Sequence, residues 1–396
     1  MLLGLVGKPS AGKSTFFKAA TMAEVDIASY AFTTIKPNHG VGYVRVECVD
    51  KDFDAQCNPN KGFCINHQRF VPVELVDVAG LVEGASEGKG LGNQFLDDLR
   101  EADVFMQVVD SSGKTDSEGR ATKNHDPRED VRFLEKELDL WFYNILVKAW
   151  KTFSRKLEVE VSNEGKFADA VASQFSGLKI NREQVKEVLL KLSLPEQPSK
   201  WTDEQLKSFA SELRKKSKPM IIAGNKCDDP DAEENLRKLK ETFTDYYVVP
   251  CSADSELALR QAAKQGLIEY VPGDNDFIIS ADLGEKQKEA LEKIKENVLQ
   301  KFEHGTGVQK VLNTAVLELL NHIAVFPGSP NKLADSKGNV LPDCFLLPKG
   351  STTLDFAYYL HTDFGKNFIK AVDARTKMAM GKDHELKHRD VFEILT

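Results

Sequence analysis

Leu2-Leu3-Gly4-Leu5-Val6-Gly7-Lys8-Pro9-Ser10-Ala11-Gly12-Lys13-Ser14 is the stretch whose reading decides the fold. Its first half is a short apolar run of the kind buried in a parallel sheet. The run breaks into a glycine-punctuated loop, and the helix-compatible residues Thr15 to Met22 follow. A strand, loop and helix in that order expose successive backbone N–H groups where the helix dipole also favours an anion. The Gly-x-x-x-x-Gly-Lys-Ser spacing adds an ammonium, Lys13, that reaches β and γ phosphates, and a hydroxyl, Ser14, suited to Mg²⁺. Candidate nucleotide contacts are therefore Gly7, Lys8, Pro9, Ser10, Ala11, Gly12, Lys13, Ser14 and Thr15, with Lys13 also a catalytic candidate. An empty site is expected to leave Lys13 exposed.

A phosphate loop alone does not separate a kinase from an ATPase or a GTPase, and four later motifs decide it. Thr33-Thr34 lies between the phosphate loop and the second strand, and Thr34 can ligate Mg²⁺ and the γ-phosphate. Asp77-Val78-Ala79-Gly80 leaves a strand, with Asp77 placed to hold Mg²⁺ through water and the Gly80 N–H to meet the γ-phosphate. Asn225-Lys226-Cys227-Asp228 leaves another strand. The Asp228 carboxylate can accept both the N1–H and the N2–H₂ of guanine, a donor pair adenine lacks. Lys226 can cover the base, and Asn225 can tie this loop to the phosphate loop. Cys251-Ser252-Ala253 can offer a backbone N–H to guanine O6. The expected ligands are thus GTP or GDP, with Mg²⁺ held by Ser14, Thr34 and, through water, Asp77.

The remaining chain supplies the frame. Strands are expected over Gly40 to Cys48, Phe70 to Asp77, Val104 to Asp110, Met220 to Ala223 and Tyr246 to Cys251, and Asn93 to Arg100 looks helical. Asp126-Pro127 opens a helix with a cap and a first-position proline. Val131, Leu134, Leu138, Trp141 and Ile145 form one stripe on it, and Phe142, Leu146, Ala149 and Phe153 a second, so it packs on two sides. Helical patterns continue to Lys218, including a capping box at Thr202-Asp203-Glu204-Gln205. Helices over Glu285 to Phe302 and Val308 to Leu320 precede a change of character near Phe326-Pro327-Gly328. Strand-like runs then surround one helix, Thr353 to His361, as in a small α+β module. The fold class is α/β: a nucleotide-binding domain (1–138 and 219–321), a helical insertion (139–218) and a C-terminal α+β domain (322–396).

A chain of 396 residues with 41% hydrophobic content buries substantial cores, and no run is apolar enough to span a membrane. A strand starting at Met1 leaves no room for a signal peptide, and six cysteines without a C-x-x-C pair point to reduced thiols; a cytoplasmic monomer is expected. Cys57 and Cys64 with His67 resemble a metal set, but no fourth ligand is evident, and the segment reads as an ordinary loop. The net charge of −8 is uneven: residues 322–396 hold ten basic against nine acidic side chains, and the rest 43 against 52. Lys366, Lys370, Arg375 and Lys377 are candidates for a basic face.

Beyond these readings, Ala31-Phe32-Thr33-Thr34-Ile35-Lys36-Pro37-Asn38, Asp77 to Ala85 and Gly88 to Arg100 resemble the YchF subfamily of Obg-related GTPases, in its archaeal and related eukaryotic form. Leu347 to Thr352, Phe356-Ala357 and His361 to Asp363 are similar to a TGS domain, a ubiquitin-like β-grasp module. The resemblance implies a Ras-like GTPase domain with a helical insertion, and an association with a ribosome, rRNA or tRNA through the TGS domain or the insertion. Bacterial and animal members carry a base motif ending in Glu and favour ATP, so the intact Asn-Lys-Cys-Asp favours GTP here. An ATPase and a nucleotide-gated RNA-binding adaptor with incidental hydrolysis are the alternatives. Potassium-activated relatives carry Asn where this chain has Ser10, which argues against K⁺ as a second cofactor. Leu81 occupies the place of the water-orienting Gln of Ras-type enzymes, leaving His125, the glycine-rich loop Gly84 to Gly92, or a partner to position water.

Overall fold

The computed structural model describes residues 1–21, 39–78, 99–160, 164–195 and 197–396, with the backbone alone at 156–160 and 164–166. Thr33, Thr34, Gly80, Leu81, the loop Gly84 to Gly92 and nearly all of the Asn93 to Arg100 helix lie outside the described residues. A seven-stranded sheet forms the centre, built from β1 (Leu2–Val6), β2 (His39–Glu47), β3 (Phe63–Ile65), β4 (Gln68–Asp77), β5 (Val104–Asp110), β6 (Met220–Asn225) and β7 (Val248–Pro250). Its order is β2-β4-β1-β5-β6-β7, with β3 on β4. All five residues of β1 are buried, because it lies parallel to both β4 and β5. β6 and β7 continue the parallel set, whereas β2 and β3 run antiparallel to β4. The strands β1, β4, β5, β6 and β7 therefore end on one edge, where such sheets place ligands.

Helix α1 (Lys13–Thr21) follows the phosphate loop. Helix α2 (Pro127–Glu160) is 34 residues long, with Asp126 Oδ1 accepting the Arg128 N–H at its start. Its packing partner changes along its length, and members of both stripes share the later core. Val131 joins Val109 and Ile222 beside the sheet, while Leu138, Trp141, Phe142, Leu146 and Trp150 enter a core with the insertion. That insertion comprises α3 (Glu164–Gln174), α4 (Arg182–Leu192) and α5 (Asp203–Ser217). The capping box holds α5, Gln205 N–H to Thr202 Oγ1 and Thr202 N–H to Gln205 Oε1. A division at residue 138 cuts α2 in mid-course, since one helix serves both cores.

Beyond the sheet come α6 (Ala232–Thr242), α7 (Ala253–Lys264), the pair β8 (Ile268–Glu269) and β9 (Ile278–Ile279), α8 (Glu285–Ile294) and α9 (Val308–Asn313). The last two continue as π-helical turns over Lys295–Leu299 and Thr314–Leu319. The C-terminal module is a five-stranded sheet of β10 (His322–Pro327), β11 (Phe345–Pro348), β12 (Lys370–Asp373), β13 (Ala379–Met380) and β14 (Asp390–Leu395), in the order β11-β10-β14-β12-β13. Helix α10 (Thr353–Leu360) packs Phe356 into its core with Val325, Leu347 and Phe392.

Candidate nucleotide site

The phosphate loop is held in shape by what glycine alone permits. Gly7 has φ +144°, and a Cβ there would stand 2.4 Å from the Val108 carbonyl oxygen; Gly12 has φ +94°, and its Cβ would stand 2.2 Å from Asn225 Nδ2. Asn225, at the end of β6, donates from Nδ2 to the Ala11 carbonyl (2.9 Å) and accepts the Ala253 N–H on Oδ1 (3.0 Å). One buried carboxamide thus binds the phosphate loop to the loop after β7. Asp228, three residues on, is exposed at the rim.

Lys13 differs from expectation. It is only 8% exposed, folded back so that Nζ donates to the Lys8 carbonyl at 2.8 Å. Burial pushes its ammonium down to about 8, against the opposing pull of Asp77. Ser14 Oγ donates to Asp77 Oδ2 at 2.9 Å. Burial also raises the Asp77 carboxyl, outweighing Ser14 and Lys13, and Oδ1 is buried without a hydrogen-bond partner among the described residues. A half-buried carboxylate with one free oxygen beside a hydroxyl is a donor set that fits a hard divalent cation.

Three further candidate groups are already engaged within the protein. The Lys8 side chain turns away from the phosphate position: Nζ pairs with Asp130 Oδ2 at 2.8 Å and donates to the Thr115 carbonyl at 2.7 Å, leaving only backbone for a nucleotide. His125 does not face the reacting end; its Nε2 sits 2.8 Å from the same Asp130, in a pocket that leaves its side chain 10% exposed. The N–H groups of Cys251, Ser252 and Ala253 are each spent inside the protein, on the Gly224 carbonyl, the Thr306 carbonyl and Asn225 Oδ1. Offering Ala253 N–H to a base requires that last bond to shift.

Asp110, at the C-terminal end of β5, belongs to none of the sequence motifs yet joins the site. It is fully buried and accepts from Lys226 Nζ (2.8 Å), the Ser112 hydroxyl and N–H, and Thr115 Oγ1. Burial alone would raise its carboxyl, but the hydrogen bonds from Lys226, Ser112 and Thr115 outweigh it and hold the group below the usual range. Lys226 itself takes φ +61°, so the base loop is pinned by a strained residue and an ion pair. Lys114 adds ion pairs to Asp229 and Asp231. The segment 111–125 therefore straps the phosphate loop, through Lys8, to the base loop. An Asp closing an apolar strand was the available signal.

Three families match consecutive parts of the chain: one described as a 50S ribosome-binding GTPase over residues 2–136, one as the G4-motif-containing domain of YGR210-like Obg-like GTPases over 223–329, and the TGS domain over 337–396. A GTP-binding protein of Methanocaldococcus jannaschii is 48% identical over 396 residues, all of this chain and 99% of its own length. The ribosome-binding ATPase YchF of Bacillus subtilis is 31% identical over 277 residues, 67% of this chain and 70% of its own. The crystal structure of a GTP-binding protein from Pyrococcus horikoshii covers both chains fully, at 41% identity and a TM-score of 0.79.

Proposed function

Because the chain belongs to the YchF subfamily of Obg-related P-loop GTPases, we propose that it binds GTP with Mg²⁺, hydrolyses it slowly alone, and acts as a cytoplasmic switch on ribosomes. The Asn225 bridge carries this reading: it fixes phosphate loop and base loop in one arrangement before any ligand arrives, and preorganised contacts spend less binding energy on ordering. In the proposed complex, Gly7 to Thr15 wrap the phosphates with backbone N–H groups, and Lys13 moves from the Lys8 carbonyl to the phosphate. Ser14 and Asp77 hold Mg²⁺ with Thr34. The ion supplies charge neutralisation on the β and γ oxygens. Asp228 selects guanine, and Lys226, tethered by Asp110, lies against the base.

The ribosomal part rests on the names of relatives and on the face of the TGS domain. Tyr358, Tyr359, Phe364 and Ile369 are exposed on that domain, as are Lys366 and Lys370. Aromatic faces among lysines suit RNA, by stacking and by phosphate contact. Arg375 is removed from that set, since it pairs with Asp52 of the nucleotide-binding domain at 2.7 Å.

A ligand at a hundred times its dissociation constant adds about 2.7 kcal/mol of stability. At matched low concentrations with Mg²⁺, GDP should raise the melting temperature more than ADP, and Asp228→Asn should move the preference toward xanthine nucleotides. Equal shifts for GDP and ADP would refute guanine selection. Single-turnover hydrolysis with and without ribosomes tests the switch: fast turnover by the chain alone would refute it.

A further inference from the structure

The polar segment between β2 and β4 is not an ordinary loop. Cys48, just past β2, Cys57 in the loop and Cys64 in β3 turn their sulfurs toward one point, and Asp50 joins them. The four ligand atoms lie within 4.8 Å of one another. Cys48 Sγ is 3.5 Å from Cys57 Sγ, and Cys64 Sγ is 4.0 Å from Asp50 Oδ2. A tetrahedral zinc ion with Zn–S bonds of about 2.3 Å separates its sulfurs by about 3.8 Å, which the observed spacing matches. A disulfide needs about 2.05 Å, and it would leave the third sulfur and the carboxylate unexplained. Cys48 and Asp50, which no sequence spacing linked to Cys57 and Cys64, complete the set, and His67 bonds to Asp50 at 3.0 Å.

The surroundings are those of a built site. Cys48 and Asp50 are fully buried and Cys57 nearly so. Asp50 Oδ2 accepts the Cys57 N–H at 3.0 Å, and its Oδ1 takes His67 Nδ1 at 3.0 Å. A carboxylate fixed in this way by outer partners is how ligating acids are oriented. Three soft sulfurs select a zinc-like ion over Mg²⁺ or Ca²⁺.

We propose that Cys48, Cys57, Cys64 and Asp50 bind one structural zinc ion, which knots residues 48–67 into the surface on which the C-terminal domain docks. Binding expels the thiol protons to solvent as the thiolates ligate the metal. The knotted segment meets that domain at Asp52, Asn58 and Asn60. Asn58 N–H donates to the Val340 carbonyl and Asn60 N–H to the Pro342 carbonyl, each at 2.9 Å. Asp52 pairs with Arg375 and Arg389. The proposal is independent of the nucleotide site.

The test is metal analysis of the full chain, purified under reductant without a metal-affinity column. About one zinc per chain is expected, replaceable by Co²⁺ with the d–d and thiolate charge-transfer absorption of a tetrahedral site. Cys57→Ser and Cys64→Ser should lose the metal, and Cys344→Ser, outside the set, should keep it. If the serine variants fail to accumulate, the cobalt spectrum of the wild type decides alone. A chain that purifies without zinc and takes up Co²⁺ without thiolate absorption overturns the proposal, as does a Cys48–Cys57 disulfide in the reduced preparation.

Discussion

Lys13 shows most directly how one residue departs from its motif. The spacing predicts its role at the phosphates, but nothing in the motif says where the ammonium rests without them. It rests buried on the Lys8 carbonyl, because the loop that wraps a phosphate also wraps a side chain that replaces it. The cost is legible in its ionisation. Burial lowers its pKa from 10.5 to about 8, so between those values the unfolded chain holds a proton that the folded chain has lost. The contribution of this group to the stability of the nucleotide-free protein should therefore rise with pH across that window, by about 3 kcal/mol, while the thiols of Cys227 and Cys344, pushed up by burial, act in the opposite sense above pH 9. Lys218, donating to the Arg100 and Ala102 carbonyls and lowered to about 8, chiefly by burial, adds a second such rise. Lys13→Met should remove its own share only. The variant should be the more stable at pH 7.5 without nucleotide, lose about 3 kcal/mol of that advantage toward pH 10.5, and neither bind triphosphate tightly nor hydrolyse it. Urea denaturation at the two pH values with EDTA measures the difference, and an unchanged pH slope would show that the ammonium carries no burial cost.

At the scale of elements, what the sequence made legible was whatever repeats or sits at a strand end. The parallel strands, the two-sided helix and both caps follow from apolar period and cap chemistry. Three features did not. β10 is a short apolar run ending in Pro327-Gly328, whose turn residues read as a boundary, yet it pairs in parallel with β14 at the other end of the domain. β3 has three residues, and its two-residue turn uses Asn66 and His67 at φ +49° and +60°, where the usual glycine is missing. The 111–125 strap has no periodicity at all; it is organised by buried charge. That strap yields a prediction. Asp130 is the common partner of Lys8 and His125, and breaking a buried pair by removing one partner costs about 3–5 kcal/mol. Asp130→Ala should lower stability by that order in urea denaturation, and Lys8→Met with Asp130→Leu should recover most of it, since no charge is then stranded. A double variant as unstable as the single would show that packing, and not the stranded Lys8, sets the cost.

In the whole molecule, β4 joins the two ends that function requires. Asp77 closes it at the nucleotide site, and Arg69, second in the strand, lies about 26 Å away at the ordinary strand rise. Arg69 is fully buried, with Nη1 and Nη2 donating to the carbonyls of Leu341 and Pro342 at 3.0 and 2.9 Å. It thus holds the segment that leads into β11. The sequence showed neither end of this link, because both acceptors are backbone atoms some 270 positions away. A planar fork on two carbonyls is not a contact that lysine or methionine reproduces. Arg69→Met leaves both carbonyls without their donors and removes the one fully enclosed charged tie to that domain among the described residues, whereas the Asp52–Arg375 pair is partly open to water and contributes little by itself. The C-terminal domain of Arg69→Met should therefore detach first. Limited proteolysis should cut between residues 329 and 343 at least tenfold faster than in the wild type, while GDP still raises the melting temperature, because no nucleotide contact involves Arg69. Cleavage at the wild-type rate would show that the asparagine contacts and exposed ion pairs hold the domain alone. Loss of the GDP response would show instead that damage at the start of β4 had travelled along the strand to Asp77.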